Sequence, residues 1–248
     1  FKNGKSENTL TSGGVRAVRT AISKDFIHWT NSKDVTYDDT MRTELYTNQV
    51  NAYYRAPHIL LGIPTRYIEL GWSPSMRALP DLPHRELRSS HHLRYGTALT
   101  DAMLMTSRDG VSFDRWDESF FRPGIERAGT WNYGHQYICW GIAETRSDLP
   151  GAPKEVSFYS TENSWTNEAR TSDLRRYTIR LDGFVSVNAP MSGGEIVTRT
   201  FRFKGSKLSI NFSTSAAGAV KVEIQDEKGV AIPGFALKDI QPVFGDTM

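Results

Sequence analysis

Ser23-Lys24-Asp25-Phe26-Ile27-His28-Trp29 and Ser107-Arg108-Asp109-Gly110-Val111-Ser112-Phe113 share the pattern Ser-basic-Asp-x-x-x-aromatic. Each follows an apolar, strand-like run. The pattern is a turn: the Asp carboxylate can accept hydrogen bonds from backbone N–H groups just ahead of it, and the aromatic returns to pack between sheets. Asp25 and Asp109 are therefore read as structural, in equivalent turns, with Trp29 and Phe113 buried. Ser160-Thr161-Glu162-Asn163-Ser164-Trp165 is a weaker third copy. Such long and variable spacing suits the blades of a propeller better than a tight solenoid.

Outward from these turns, helical periodicity is nearly absent. Strand-like runs at 15–22, 58–63, 102–106, 137–143, 155–159 and 175–180 are bounded by Gly, Pro, Asn and Asp. Residues 73–98 carry Pro74, Pro80, Pro83, His84, His91 and His92 without a period. They read as a long insertion loop, a kind of segment that often carries function. Beyond residue 186 the pattern changes to clean alternation, as in Lys207-Leu208-Ser209-Ile210-Asn211-Phe212 and Val220-Lys221-Val222-Glu223-Ile224. Period-two strands with one buried face indicate an antiparallel sandwich. Asp226-Glu227-Lys228-Gly229 reads as a hairpin turn. The expected fold class is all-β: the C-terminal blades of a five-bladed β-propeller over residues 1–186, about two and a half of them, then an antiparallel β-sandwich over 187–248. Phe1 begins in mid-pattern, so the chain is expected to be a piece of a longer protein.

Composition excludes several function classes. With 30 basic and 28 acidic residues and no Lys/Arg run longer than two, there is no nucleic-acid face. No stretch has the roughly 18 apolar residues that a spanning helix needs. A single cysteine, Cys139, allows neither an internal disulfide nor a cysteine metal cluster. No cofactor or metal is expected, and the oligomeric state is left open. Aromatic residues make up 11% of the chain, which suits both a β core and a sugar-stacking surface.

The 23–29 turn resembles the Ser-x-Asp-x-x-x-Trp turn of five-bladed propeller glycosidases, notably glycoside hydrolase families 32 and 43, and residues 107–110 resemble the Asp-box of sialidases. Tyr54-Arg55-Ala56-Pro57-His58, Thr106-Ser107-Arg108-Asp109-Gly110, Leu174-Arg175-Arg176-Tyr177 with Leu181-Asp182-Gly183-Phe184, and Thr214-Ser215-Ala216-Ala217-Gly218 are similar to segments of large bacterial proteins described as glycosyl-hydrolase-like. The likeness covers most of 14–246. It implies a propeller, a carbohydrate substrate and a secreted or periplasmic location. The family 32 Trp-Met-Asn-Asp-Pro, Arg-Asp-Pro and Glu-Cys motifs are absent, and Arg108-Asp109 is followed by Gly110. No catalytic residue is carried over.

In a propeller, ligands bind where inner strands reach the channel mouth. Polar residues at strand starts are thus the candidates. Asp101 and Glu144 are the candidate catalytic carboxylates, because glycoside hydrolysis uses a pair. The alternative is that each caps a turn or pairs with Arg108, Arg122 or Arg175. Arg55, His58 and Arg66 are candidate substrate-binding groups, Arg through its planar fork. Trp131 and Tyr137, in a group with Tyr133, Trp140, Asn132 and His135, are candidate stacking residues; the alternative is packing in the core between blades. The expected function is a glycoside hydrolase acting on a poly- or oligosaccharide through paired carboxylates at the channel; the alternative is a non-catalytic carbohydrate-binding or cell-surface propeller protein. Convergent carboxylates would favour the first; Arg and aromatics without such a pair would favour the second.

Overall fold

The computed structural model describes residues 2–3, 14–38, 43–166 and 172–247. Among these residues it is mostly sheet with three short helices. Two compact units divide the chain: Phe1–Ala143 with Ser157–Tyr177, and Glu144–Val156 with Thr178–Met248. Among the described residues no helix is long and apolar enough to cross a membrane.

The first unit opens with β1 (Lys2–Asn3), β2 (Gly14–Val15), β3 (Arg19–Thr20), β4 (Lys33–Asp34) and β5 (Thr36–Tyr37). Next come β6 (Glu44–Tyr46), β7 (Asn51–Tyr53), β8 (Ala56–Gly62) and β9 (Thr65–Glu69). Helices α1 (Pro74–Ala78), α2 (Leu82–His91) and α3 (Arg94–Thr97) precede β10 (Ala98–Ala102), β11 (Met105–Ser107), β12 (Ser112–Arg115) and β13 (Tyr137–Ile138). β14 (Ala143–Thr145), β15 (Glu155–Glu162) and β16 (Asp173–Arg180) follow, and β17 (Phe212–Ser213) and β18 (Asp246–Thr247) lie in the second unit.

One sheet has the order β10-β9-β6 and another β5-β12-β11-β8-β7. All these pairings are antiparallel except β12 with β5. A further sheet pairs β13 and β16 with β15. The ladders do not close into a barrel or propeller ring among the described residues. Met105 on β11 packs with Val35 and Phe113, flanked by Val18, Tyr37 and Val50. Gly62 lets β8 approach: a Cβ there would lie 2.6 Å from Met105 Cε. Phe120, Phe121, Phe158 and Tyr177 stack edge-on, with centroids 4.8–5.7 Å apart.

The two Ser-Asp motifs fold alike. Each is the connection of a hairpin, β3 to β4 and β11 to β12. Asp25 Oδ1 accepts from the N–H groups of Ile27 (2.9 Å) and His28 (2.8 Å), and Asp109 Oδ1 from those of Val111 and Ser112 (both 2.8 Å). Ser23 Oγ accepts from Phe26 N at 2.8 Å, Ser107 Oγ from Gly110 N at 2.9 Å. Phe26 occupies the positive φ (61°) that Gly110 (73°) takes in the other copy. The aromatics differ: Phe113 is 3% exposed, but Trp29 is 54% exposed and rests on Phe26. Burial of Trp29 is thus corrected, because the β3–β4 hairpin forms a sheet of its own. The third copy is no such turn: Glu162 ends β15 and its carboxylate pairs with Arg175 at 2.7 Å.

Two further expectations change. Residues 73–98 are not an irregular loop but hold the three helices seen among the described residues. Ser73 caps α1, its Oγ accepting from Met76 N at 3.1 Å, with Pro74 next in the first turn. Pro83 sits in the first turn of α2. The 102–106 run is split: β10 belongs to one sheet and β11 to another.

In the second unit the Asp226 turn forms as read, with Oδ1 accepting from Lys228 N (2.8 Å) and Val230 N (2.9 Å) and Gly229 at φ 78°. Its regular ladders are β17–β18 and bridges Val220↔Val243 and Gln225↔Ala231. The alternating segments at 196–203 and 207–212 do not build two facing sheets. Ile196, Val197, Phe201, Phe203 and Leu208 stay about two-thirds exposed. A period-two pattern sets a strand's faces, and a sandwich needs a second sheet to cover the apolar one.

Candidate functional site

The carboxylates expected to be catalytic are engaged in local pairs. Asp101 is an interior residue of β10, directly opposite Arg66 on β9. β10 alternates strictly, burying Ala98, Thr100 and Ala102 and turning Asp101 to the other face. There Arg66 forms a fork: Nε donates to Oδ1 at 2.8 Å and Nη2 to Oδ2 at 2.5 Å. Ser119 Oγ also donates to Oδ2, and Arg66 Nη1 donates to the Asp117 carbonyl at 2.8 Å. The partner is Arg66 rather than Arg108, Arg122 or Arg175, because a cross-strand neighbour fixed by register outranks a distant arginine. Glu144 belongs to the second unit and accepts from Lys154 Nζ at 2.8 Å.

Arg55 sits in the two-residue connection between β7 and β8, and His58 follows on β8; both are exposed. Trp131, at φ 56°, is half-buried and donates Nε1–H to the Gly124 carbonyl at 2.7 Å. Tyr137 meets Tyr46 edge-on at 5.7 Å and hydrogen-bonds Tyr133, and burial pushes its hydroxyl well above the usual tyrosine range. Of the seven residues read from sequence, the structure thus brings Arg66 and Asp101 together and leads Tyr137 into an aromatic cluster.

That cluster borders a concavity on α2. An open pocket of about 380 Å³ is lined by His84, Arg88, His91, Tyr95, Trp165 and Thr166. The first three lie on α2 at spacings of four and three, so they share one helix face. The helix is pinned from behind. Arg85, 2% exposed, donates Nε–H to the Pro80 carbonyl (2.7 Å), and its other nitrogens to the carbonyls of Gly96 (3.4 Å) and Trp131. Gly96 permits this approach, since a Cβ there would lie 2.1 Å from the Arg85 carbonyl oxygen.

Trp165 is held across from α2. Its carbonyl accepts from His84 Nε2 and from Arg88 Nη1, each at 3.0 Å. The Arg88 guanidinium lies 4.7 Å from the Trp165 ring centroid and 5.7 Å from that of Tyr133. Tyr95, Tyr133 and Trp165 lie within 5.3–5.5 Å of one another, centroid to centroid. Trp165 nevertheless remains 51% exposed. Burial, and then the neighbouring Arg85 charge, push the Arg88 guanidinium down to about 10.

No protein-family model, curated protein or solved structure matches this chain. The site is read from its chemistry. It offers an aromatic face, a guanidinium and two imidazoles, and among the described residues its lining contains no carboxylate. Among the described residues no cluster of His, Cys, Asp and Glu could hold a metal.

A buried polar network adjoins the same sheet. Glu162, 5% exposed at its side chain, accepts from Tyr177 Oη (2.5 Å) and pairs with Arg175 (2.7 Å) and Arg127 (3.4 Å). Burial raises the Glu162 carboxyl, but Tyr177 and Arg175 outweigh it, and the net direction is down. Burial also pushes Tyr177 up to about 12. These groups saturate one another and act as a core.

Sequence reasoning did not reach His84, Arg88, His91, Tyr95 and Trp165 as a set. Signals were present: an Asp81-Leu82-Pro83 helix start and polar residues at 84, 88 and 91. Trp165 was visible only as the tail of a repeat.

Proposed function

We propose that this chain binds carbohydrate without cleaving it, at the α2 pocket. The observation that carries the proposal is the half-exposed Trp165 ring beside Arg88, His84 and His91 in a pocket whose lining, among the described residues, has no carboxylate. A sugar ring has an apolar C–H face and a rim of hydroxyls. An aromatic face takes the first, and fixed N–H donors take the second. Hydrolysis needs two carboxylates available to the scissile bond. Asp101, held at both oxygens by Arg66, and Glu144, paired with Lys154, support the binding reading over the hydrolase.

The wider assignment follows the same reading. The sheets are blades of a glycosyl-hydrolase-like propeller, and the protein works outside the cytoplasm. The repeated Ser-Asp hairpin supports the first of these.

Screening the chain on a printed glycan array, followed by calorimetry on the hits, tests the function. Saturable saccharide binding that Trp165→Ala weakens by about tenfold or more is expected, the loss of one stacking face being worth over a kcal/mol. Turnover of the bound glycan, or binding untouched by Trp165→Ala, would contradict it.

A further inference from the structure

We infer that the saccharide taken by the α2 pocket is acidic, its carboxylate meeting Arg88; this rests on the carbohydrate-binding reading and names the class of sugar.

Arg88 is 9% exposed, and among the described residues no Asp or Glu pairs with it. Its Nη1 donates to a neutral carbonyl and its Nη2 is buried without a partner. Two aromatic rings flank the guanidinium. The rings and the carbonyl ease the desolvation of the cation but do not neutralise it. The surroundings add positive charge. Arg85 lies one turn back on the same helix and is itself buried. Arg94 lies over Tyr95, 5.5 Å from its centroid.

Among the described residues the acids on and beside α2 are engaged elsewhere. Glu86 pairs with Arg77 at 2.8 Å, and Asp81 accepts from Gly129 N at 3.0 Å. A buried cation without a counter-ion is costly, and a ligand that supplies one recovers that cost on binding. A neutral hydroxyl can fill a guanidinium N–H but leaves the charge. A carboxylate fills the planar fork and cancels the charge together. With Trp165 and Tyr95 beside the cation, the matching ligand joins a carboxylate to a stackable ring, as a uronic or nonulosonic acid does.

The test is calorimetry of the full chain with oligosaccharides of galacturonic, glucuronic and N-acetylneuraminic acid, each paired with its methyl ester. The esters keep the ring and remove the charge. At least one acid should bind about tenfold or more tighter than its ester, and Arg88→Met should erase that difference, as loss of a charge-assisted fork requires. Equal binding of acid and ester would overturn the acidic assignment while leaving saccharide binding in place. No binding of any form, alongside an empty glycan array, would overturn the carbohydrate reading itself. Sodium sulfate displacing the acid at an equal concentration would show a simple anion site and overturn the inference. The wild-type comparison of acid with ester decides the matter even if Arg88→Met fails to fold.

Discussion

Arg66 and Asp101 face each other across β9 and β10 and share two hydrogen bonds, with side chains only 12% and 15% exposed. Removing one partner strands the other in a dry place. Asp101→Asn should therefore destabilise the first unit by about 3 kcal/mol. Urea unfolding checks this. Saccharide affinity at a concentration of urea where both proteins stay folded should be unchanged.

The parts of this fold legible in the sequence were local. The Ser-Asp turns were readable because three or four neighbouring residues make every bond. The same holds for the Asp226 turn. The exposure of Trp29 was not legible, since it depends on which sheet faces the hairpin. Asp101 looked like a residue ahead of a strand, because nothing in 98–106 marks the passage from β10 to β11. Its partner Arg66 lies 35 positions away and is fixed only by register. The helices at 73–98 were hidden by three prolines, which signal breaks as readily as helix starts. The α2 pocket draws Trp165 from far along the chain, a contact that no spacing rule reports.

The Asp109 carboxylate is lowered from 3.8 to about 2 by the backbone N–H groups of Val111 and Ser112. A carboxyl lowered in the folded state stabilises it above its unfolded value and loses that contribution as pH falls. The window is thus from 3.8 down to about 2. Asp109→Asn should flatten the acid limb of a stability–pH curve there, with little change in slope at neutral pH.

His135 is fully buried, and burial lowers its imidazole below 6.5, against an opposing pull from Glu162. Protonation favours the unfolded chain, where the ring is hydrated. Stability held above 6.5 should be lost as pH falls through the histidine range. His135→Asn should remove that slope from thermal melts, though it lowers stability throughout.

Gly96 does not line the pocket, yet α3 sits against α2 only because it lacks a Cβ. Gly96→Ala should cost about 1–3 kcal/mol through overpacking. Saccharide affinity should fall with it, because the shift moves the helix that carries Arg88. A stability loss with unchanged affinity would separate the pocket from this packing.

Hydroxyl-radical footprinting with and without saturating saccharide tests the central claim most directly, because it reports which side chains the sugar covers. Trp165, Tyr95 and His91 should be protected, with Trp29 and Trp140, both exposed, unchanged as internal controls. Protection that leaves Trp165 and Tyr95 fully reactive and falls instead on Arg55 and His58 would contradict the account.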